Sequence, residues 1–199
     1  MCVRPAQIVR PGFIPRAPAE TSAMRPRNDR TNLTSRHRLR DFDYTQPGFY
    51  FVTFTTHRFQ MLFGQVIDGD MDFTPAGAML AELLGLIEQK FPAISPETFV
   101  VMPNHVHLLL YQSLVNDEFT PSDVVRWIKG KSLAAYREGV EGLGWEPFEG
   151  KLWKEGFHDE VLRTEIQMEN VRRYIIENPR RWDEDELRSM KDEGGSRRN

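Results

Sequence analysis

The sequence predicts an α+β fold in which an antiparallel sheet carries helices on one of its faces. Two observations lead to this prediction. Segments rich in β-branched and aromatic residues alternate with segments whose apolar residues recur at helical spacing, and their order is strand, helix, strand, strand, helix, strand, helix. The first six elements have the order β-α-β-β-α-β, which is the split βαβ pattern of a ferredoxin-like sheet, and an additional C-terminal helix follows.

The first half of this pattern is a strand, a helix and a hairpin. Residues 47–56 are dense in aromatic and β-branched residues, which is typical of a central strand. After a turn-rich stretch, Thr74-Pro75 begins an amphipathic helix that ends near Phe91, because threonine favours the N-cap and proline the first helical position. Residues 98–102 then form a short strand, and residues 105–111 return beside it as the second strand of a tight hairpin.

The second half is a helix, a strand and a final helix. Thr120 begins a capped helix that runs to about Arg137, and a glycine-broken loop separates it from a strand over residues 157–163. The last helix covers residues 165–178 and is stopped by Pro179, which cannot supply a backbone N–H.

Charge divides the chain into a basic arm, an acidic central part and a tail. Residues 1–40 are rich in arginine and proline and carry a net charge of +7, whereas residues 41–179 carry −10. The arm is expected to be flexible; it either helps to neutralise nucleic-acid phosphates or is only a solvated leader. We expect a single catalytic or binding domain over residues 41–182 and a solvated, charged tail over residues 183–199.

Cysteine usage and hydropathy indicate where the protein works. Cys2 is the single cysteine, so a disulfide framework is excluded, and no apolar run approaches the ~18 residues that would span a membrane. These features predict a cytoplasmic protein that has no membrane partner.

A pair of histidines on the hairpin is the main candidate for chemistry. In His105-Val106-His107 both imidazoles lie on one face of the strand, while Val106, Leu108 and Leu110 form an apolar row on the other. The strand can therefore pack into a core while its histidines point outward to a metal ion. The alternative is a half-exposed strand whose histidines only bond to their neighbours, and a third ligand or a nucleophile is needed to decide between the two.

A tyrosine and an asparagine on the last helix are candidates for those roles. Tyr174 and Asn178 are four residues apart and so share one helical face, although Pro179 disfavours helical geometry at Asn178. If this face packs on the histidine strand, Asn178 can complete a metal site with the Tyr174 phenol beside it. Tyr136 lies on the other long helix and has no such companion.

Together these residues resemble the HUH single-tyrosine transposases, and most closely the REP-associated tyrosine transposases of bacteria. The resemblance covers roughly residues 36–183. It rests on Arg38-Leu39-Arg40-Asp41-Phe42-Asp43-Tyr44, Gly48-Phe49-Tyr50-Phe51-Val52-Thr53, Leu62-Phe63-Gly64, Met102-Pro103-Asn104-His105-Val106-His107, Leu152-Trp153, Phe157-His158-Asp159, Leu162-Arg163 and the run from Tyr174 to Trp182.

The resemblance implies a fold, a site and a reaction. In the HUH endonuclease fold it implies, His105, His107 and Asn178 correspond to the ligands of a divalent ion, Mg²⁺ or Mn²⁺, and Tyr174 to the nucleophile. The implied reaction is nicking and strand transfer of single-stranded DNA through a 5′-phosphotyrosine, with palindromic REP-like hairpins as the substrate. Metal assistance is expected because a phenol with a pKa near ~10 is a poor nucleophile at neutral pH.

Basic residues near these motifs are candidates for contacts with the DNA, because lysine and arginine neutralise phosphates. They are Arg36, Arg38, Arg40, Lys129, Lys131, Arg172 and Arg173. The sequence does not choose between a monomer and a homodimer. Two other functions stay open: a domesticated protein that binds DNA hairpins without cutting them, and a metal-dependent nuclease that uses His105, His107 and either His158 or Asp159 without a covalent intermediate.

Overall fold

The structure, a computed structural model, describes residues 42–116 and 118–189. Six strands form two sheets in this part of the chain. They are β1 (Gly48–Thr55), β2 (Gly64–Ile67), β3 (Asp70–Phe73), β4 (Ile94–Val101), β5 (His105–Gln112) and β6 (His158–Leu162). The larger sheet has the order β4-β5-β1-β6, and every neighbouring pair is antiparallel. The predicted ferredoxin-like α+β fold is therefore confirmed.

Five helices accompany the sheets among the described residues. They are α1 (Pro75–Gly85), α2 (Ile87–Lys90), α3 (Pro121–Leu143), α4 (Glu165–Glu177) and α5 (Glu186–Ser189), with 3₁₀ segments at His57–Phe59 and Asn178–Glu184. The predicted helix starts are correct because their caps form. The Thr74 hydroxyl accepts from the N–H of Gly77, and Thr120 and Asp123 make a capping box. None of these helices is long and apolar enough to cross a bilayer.

Helices α1 and α3 cover one face of the large sheet and enclose the main core. The alternation of β1 and β5 sends every second side chain into this core. Its members include Tyr50, Val52, Phe54, Leu80, Leu84, Val106, Leu108, Leu110, Val124 and Ile128.

Helix α4 and the 3₁₀ segment after it cover the opposite face. Ile175 and Trp182 pack there against a smaller set of buried side chains: Phe49, Met71, Val100, Met102, Leu109 and Leu162. This face is the one that carries both histidines, so the histidine strand is covered on its two sides.

Several boundaries differ from the sequence prediction. The helix that begins at Pro75 ends at Gly85 rather than near Phe91, and the short helix α2 follows it. The stretch between β1 and α1 is a hairpin of β2 and β3 rather than turns alone, and its four-residue strands are too short for alternation to reveal them. Strand β4 begins at Ile94 rather than at residue 98. It includes Pro96, which a strand can tolerate at the edge of a sheet because no neighbour needs a backbone N–H there. Helix α3 continues to Leu143 and ends where Gly144 adopts φ 70°.

Candidate active site

The two histidines of β5 point at each other beneath α4. His105 Nε2 and His107 Nε2 are 3.1 Å apart. The sequence predicts histidines that point outward from the core, and the alternative is a half-exposed strand, but both side chains are buried: His105 is 0% and His107 3% exposed. The imidazoles face a layer of protein rather than solvent.

Each imidazole is oriented by a polar neighbour at its Nδ1 atom. Asn104 Nδ2 donates to the carbonyls of Phe59 and Leu187, which directs its Oδ1 towards His105 Nδ1 at 2.8 Å. An amide oxygen only accepts, so His105 Nδ1 is the donor and its Nε2 carries a lone pair. His107 Nδ1 lies 2.7 Å from Oγ1 of Thr53, the residue of β1 that pairs with His107 in the sheet. When His107 Nδ1 also donates, to the Thr53 hydroxyl oxygen, two Nε2 lone pairs face each other, an arrangement that favours a cation between them.

Burial keeps both rings neutral at physiological pH. It lowers the pKa of His105 well below its usual range, and the neighbouring His107 adds to the effect. It also lowers the pKa of His107 to about 3, with a further contribution from His158. Neutral imidazole is the form that binds a metal ion.

Helix α4 brings Tyr174 to this pair. Tyr174 Oη lies 3.1 Å from His107 Nε2, and the two ring centroids are 5.0 Å apart. The phenol remains 36% exposed, so it can be reached from outside. Burial of its other side and the charge of Asp185 raise its pKa, which keeps the hydroxyl protonated at neutral pH.

Asn178 lies one turn beyond Tyr174, as the spacing predicts. Its backbone is helical (φ −53°, ψ −44°) despite Pro179, because the chain continues as a 3₁₀ segment rather than stopping. Asn178 is 2% exposed, and within the described part of the chain its Oδ1 is a buried oxygen without a hydrogen-bond partner. The carboxamide is close enough to His105 and Tyr174 to influence the pKa of each.

Asp185 is a site residue that the sequence analysis missed. Its Oδ2 lies 3.7 Å from His105 Nε2 and is a second buried oxygen for which the described residues provide no hydrogen bond. Ligand atoms of His105, His107 and Asp185 all lie within 4.8 Å of one another. No local signal identifies Asp185, because it belongs to a run of charged residues that is typical of a solvated tail. The described start of that predicted tail, residues 183–189, instead lies against the site.

The donor set fits a divalent cation. It consists of two neutral imidazoles, an amide oxygen and a carboxylate oxygen, and both oxygens are buried without a hydrogen-bond partner among residues 42–116 and 118–189. Imidazole suits several transition metals, and carboxylate or amide oxygens suit Mg²⁺ and Mn²⁺. A cleft of about 260 Å³ opens beside these atoms and is lined by Tyr174, Asn178, Arg181, Glu184, Asp185, Glu186 and Leu187.

The candidate DNA-binding residues lie in several places. Lys129 and Lys131 belong to α3, on the far face of the sheet from the histidines, and Lys129 Nζ donates to the carbonyls of Lys154 and Gly156. Burial lowers the pKa of Lys129 to about 8. Arg173 is exposed on α4, whereas Arg172 forms ion pairs with Glu97 and Glu169. Arg36, Arg38 and Arg40 lie outside the described residues.

Of the alternative chemical groups, Tyr136 and Asp159 lie away from the site, whereas His158 lies on the face of the histidines. Tyr136 is 1% exposed in the main core and donates to the Glu146 carbonyl. The register of β6 puts His158 beside Thr53 on the face of the histidines. Asp159, the next residue on that strand, points to the opposite face.

Comparison with known proteins identifies the family and the fold of this chain. Residues 47–178 match the model of the family described as "Transposase IS200 like". An uncharacterized protein of Haemophilus influenzae is 23% identical over 174 residues, which covers 75% of this chain and 90% of that protein. A solved structure of a REP-associated tyrosine transposase bound to a REP hairpin superposes with a TM-score of 0.52 at 21% identity, covering 75% of this chain and 74% of the other.

The family match spans the first strand of the large sheet, the histidine strand and helix α4 as far as Asn178. The solved structure shares the fold. The chain therefore belongs to the IS200-like transposase family, and its fold is that of a REP-associated tyrosine transposase.

Proposed function

We propose that this protein, as a DNA-processing enzyme of its family, cleaves and joins single-stranded DNA at palindromic repeat hairpins through a covalent bond to Tyr174. The observation that carries the proposal is the 3.1 Å separation of Tyr174 Oη and His107 Nε2, beside a buried pair of neutral imidazoles. A nucleophile and a candidate metal site thus meet in one chain. We therefore also propose that one protomer supplies a whole active site.

In this proposal Tyr174 Oη attacks the scissile phosphorus. The O–P bond of a 5′-phosphotyrosine forms, the bond from phosphorus to the 3′ oxygen breaks, and the phenol releases one proton while the 3′ oxygen takes one up. The free 3′-hydroxyl can later reverse the step on the same or another strand, which is strand transfer.

His105, His107, Asn178 and Asp185 would hold the divalent cation, Mg²⁺ or Mn²⁺. When bound, the cation supplies Lewis acidity towards a non-bridging phosphate oxygen. The residues of the chain position the groups that react. Thr53 and Asn104 orient the imidazoles, and α4 holds the phenol next to them.

Hairpin recognition rests on the resemblance and on basic residues. The solved relative that shares this fold is bound to a REP hairpin. Arg36, Arg38 and Arg40, with Lys131 and the exposed Arg173, are the proposed phosphate contacts, because the matched domain is otherwise acidic. Lys129 would act more weakly, since two carbonyl groups already hold its ammonium.

A labelled-oligonucleotide experiment tests the reaction. A single-stranded repeat is incubated with the protein and Mn²⁺, with the label at either the 3′ or the 5′ end, and the products are separated under denaturing conditions. A 5′-phosphotyrosine predicts that the 3′-labelled strand migrates with the protein and that the 5′-labelled strand is released as a shorter fragment.

Two conservative variants identify the nucleophile. Tyr174→Phe should abolish the covalent product and keep hairpin binding, whereas Tyr136→Phe should retain both. An adduct that survives in Tyr174→Phe refutes the assignment. Cleavage without an adduct would indicate a metal-dependent nuclease, and retention of uncut DNA would indicate a binding protein.

A further inference from the structure

The position of Tyr174 depends on how α4 lies on the sheet. Ile175 is the single fully buried side chain of this helix, and Met168 and Val171 are only partly covered. Rotating a helix by about 20° moves a group at its surface, about 6 Å from the axis, by about 2 Å. A small rotation would therefore separate the phenol from His107, and one apolar anchor resists it weakly.

A β-bulge in the neighbouring edge strand supplies a second anchor. In the pairing of β4 with β5, Pro96 lies opposite Leu110 and Thr98 opposite Leu109, so Glu97 is an extra residue with no partner of its own. Bulges of this kind redirect a side chain and occur often beside active sites.

The carboxylate of Glu97 contacts helix α4 at Arg172, two residues before Tyr174. Arg172 Nη2 donates to Glu97 Oε1 at 2.6 Å, and the two side chains are only 27% and 11% exposed. Arg172 Nη1 also reaches Glu169 of its own helix at 3.3 Å, but that carboxylate is 57% exposed. A short, shielded charge pair that bridges two elements holds them more firmly than an exposed pair within one helix.

We infer that Glu97 and Arg172 are positioning residues, which fix the rotation and axial position of α4 so that Tyr174 stays within reach of the histidine pair. This inference rests on the proposed function of Tyr174. It assigns Arg172 a role inside the protein, in place of the phosphate contact that the sequence suggests.

The test uses variants of the full chain that remove or reverse one charge of the pair between Glu97 and Arg172, and one variant that exchanges the two charges. Glu97→Gln keeps the shape of the side chain and removes its charge, Arg172→Glu reverses the other partner, and the double variant Glu97→Arg/Arg172→Glu restores an opposite-charge pair. Glu169→Gln is the matched control, because it removes the exposed partner of the same arginine. For each variant we would measure the single-turnover rate of adduct formation at saturating oligonucleotide, the Kd for the hairpin, the Kd for Mn²⁺ and the Tm.

We expect Glu97→Gln to slow adduct formation at least tenfold while both Kd values stay within twofold of the wild type. The double variant should recover most of the rate that Arg172→Glu loses, and Glu169→Gln should behave as the wild type. A rate within twofold of the wild type in Glu97→Gln overturns the inference. So does an Arg172→Glu variant whose loss is confined to the hairpin Kd, because that result indicates a phosphate contact.

A measurement without catalysis separates this inference from the proposed function. With 3-fluorotyrosine at position 174, the ¹⁹F resonance should shift and broaden in Glu97→Gln and stay unchanged in Glu169→Gln. If the wild type forms no adduct, the proposed function fails and the ¹⁹F comparison still decides whether the pair positions the helix. If Glu97→Gln does not fold, Arg172→Lys, which keeps the charge but loses the planar fork, replaces it and should show the same slower rate and shifted resonance.

Discussion

The hydrogen bond between Thr53 and His107 offers a sharp test of the candidate metal site. Thr53 Oγ1 lies 2.7 Å from His107 Nδ1 and is the polar neighbour at that nitrogen. Replacing Thr53 with valine exchanges a hydroxyl for a methyl group of nearly the same size. If Thr53 accepts from Nδ1, the imidazole then loses the group that keeps its proton on Nδ1 and the lone pair of Nε2 directed at the ion.

The expected size of the effect follows from that geometry. Loss of an outer partner of a metal-binding histidine costs about 10-fold to 100-fold in metal affinity. This corresponds to about 1.4–2.8 kcal/mol of binding free energy. The folded state should lose less, about 1 kcal/mol, which is typical of a single neutral hydrogen bond.

Titration with Mn²⁺, followed by the electron paramagnetic resonance signal of the free ion, measures the affinity directly. Thr55→Val is the matched control, because Thr55 pairs with His105 as Thr53 pairs with His107, but its hydroxyl makes no hydrogen bond within the described part of the chain. A Kd for Thr53→Val within twofold of the wild type would refute the reasoning. An increase in affinity would show that Thr53 donates to Nδ1 and that His107 carries its proton on Nε2.

Four further predictions concern the acid stability, the packing, the ligand set and the arm. The unfolding free energy of the metal-free protein should fall by about 2 kcal/mol between pH 7 and pH 5 through His107. The pKa of this residue falls from 6.5 to about 3 on folding, so the unfolded chain takes up the proton at a higher pH than the folded chain. Urea denaturation of His107→Asn at the two pH values should show a smaller fall. Gly77→Ala should destabilise the fold by about 1–3 kcal/mol and lower the Tm, because the new Cβ would lie 1.9 Å from the Phe63 carbonyl oxygen. Gly130→Ala, which places a Cβ in open space, should raise the Tm. Asp185→Asn should weaken Mn²⁺ binding in calorimetry, and an unchanged Kd would remove Asp185 from the ligand set. Deleting residues 1–35 should weaken hairpin binding and flatten its dependence on salt; equal affinity at ~0.15 M salt would contradict a role for the arm.

Much of the candidate site could be predicted because its signals are local. The two-residue alternation of β5 places His105 and His107 on one face, and the four-residue spacing in α4 aligns Tyr174 with Asn178. Both relations are properties of a strand or a helix alone, so neither needs knowledge of packing. Asp185 and Thr53 escaped prediction because their roles come from contacts across the fold, with no motif around them.

The sequence by itself determined the order of the four strands of the large sheet and of the helices α1, α3 and α4, the apolar row of β5 and the capped starts of α1 and α3, since periodicity and caps act over a few residues. Tertiary structure decided which face of the sheet α4 covers, and with it the burial that keeps both imidazoles neutral. It also brought together residues that are 67 positions apart at Tyr174 and His107 and 75 apart at Arg172 and Glu97. The physical reason is that such contacts depend on how whole elements pack, and packing is set by the summed fit of many side chains rather than by any short run of them.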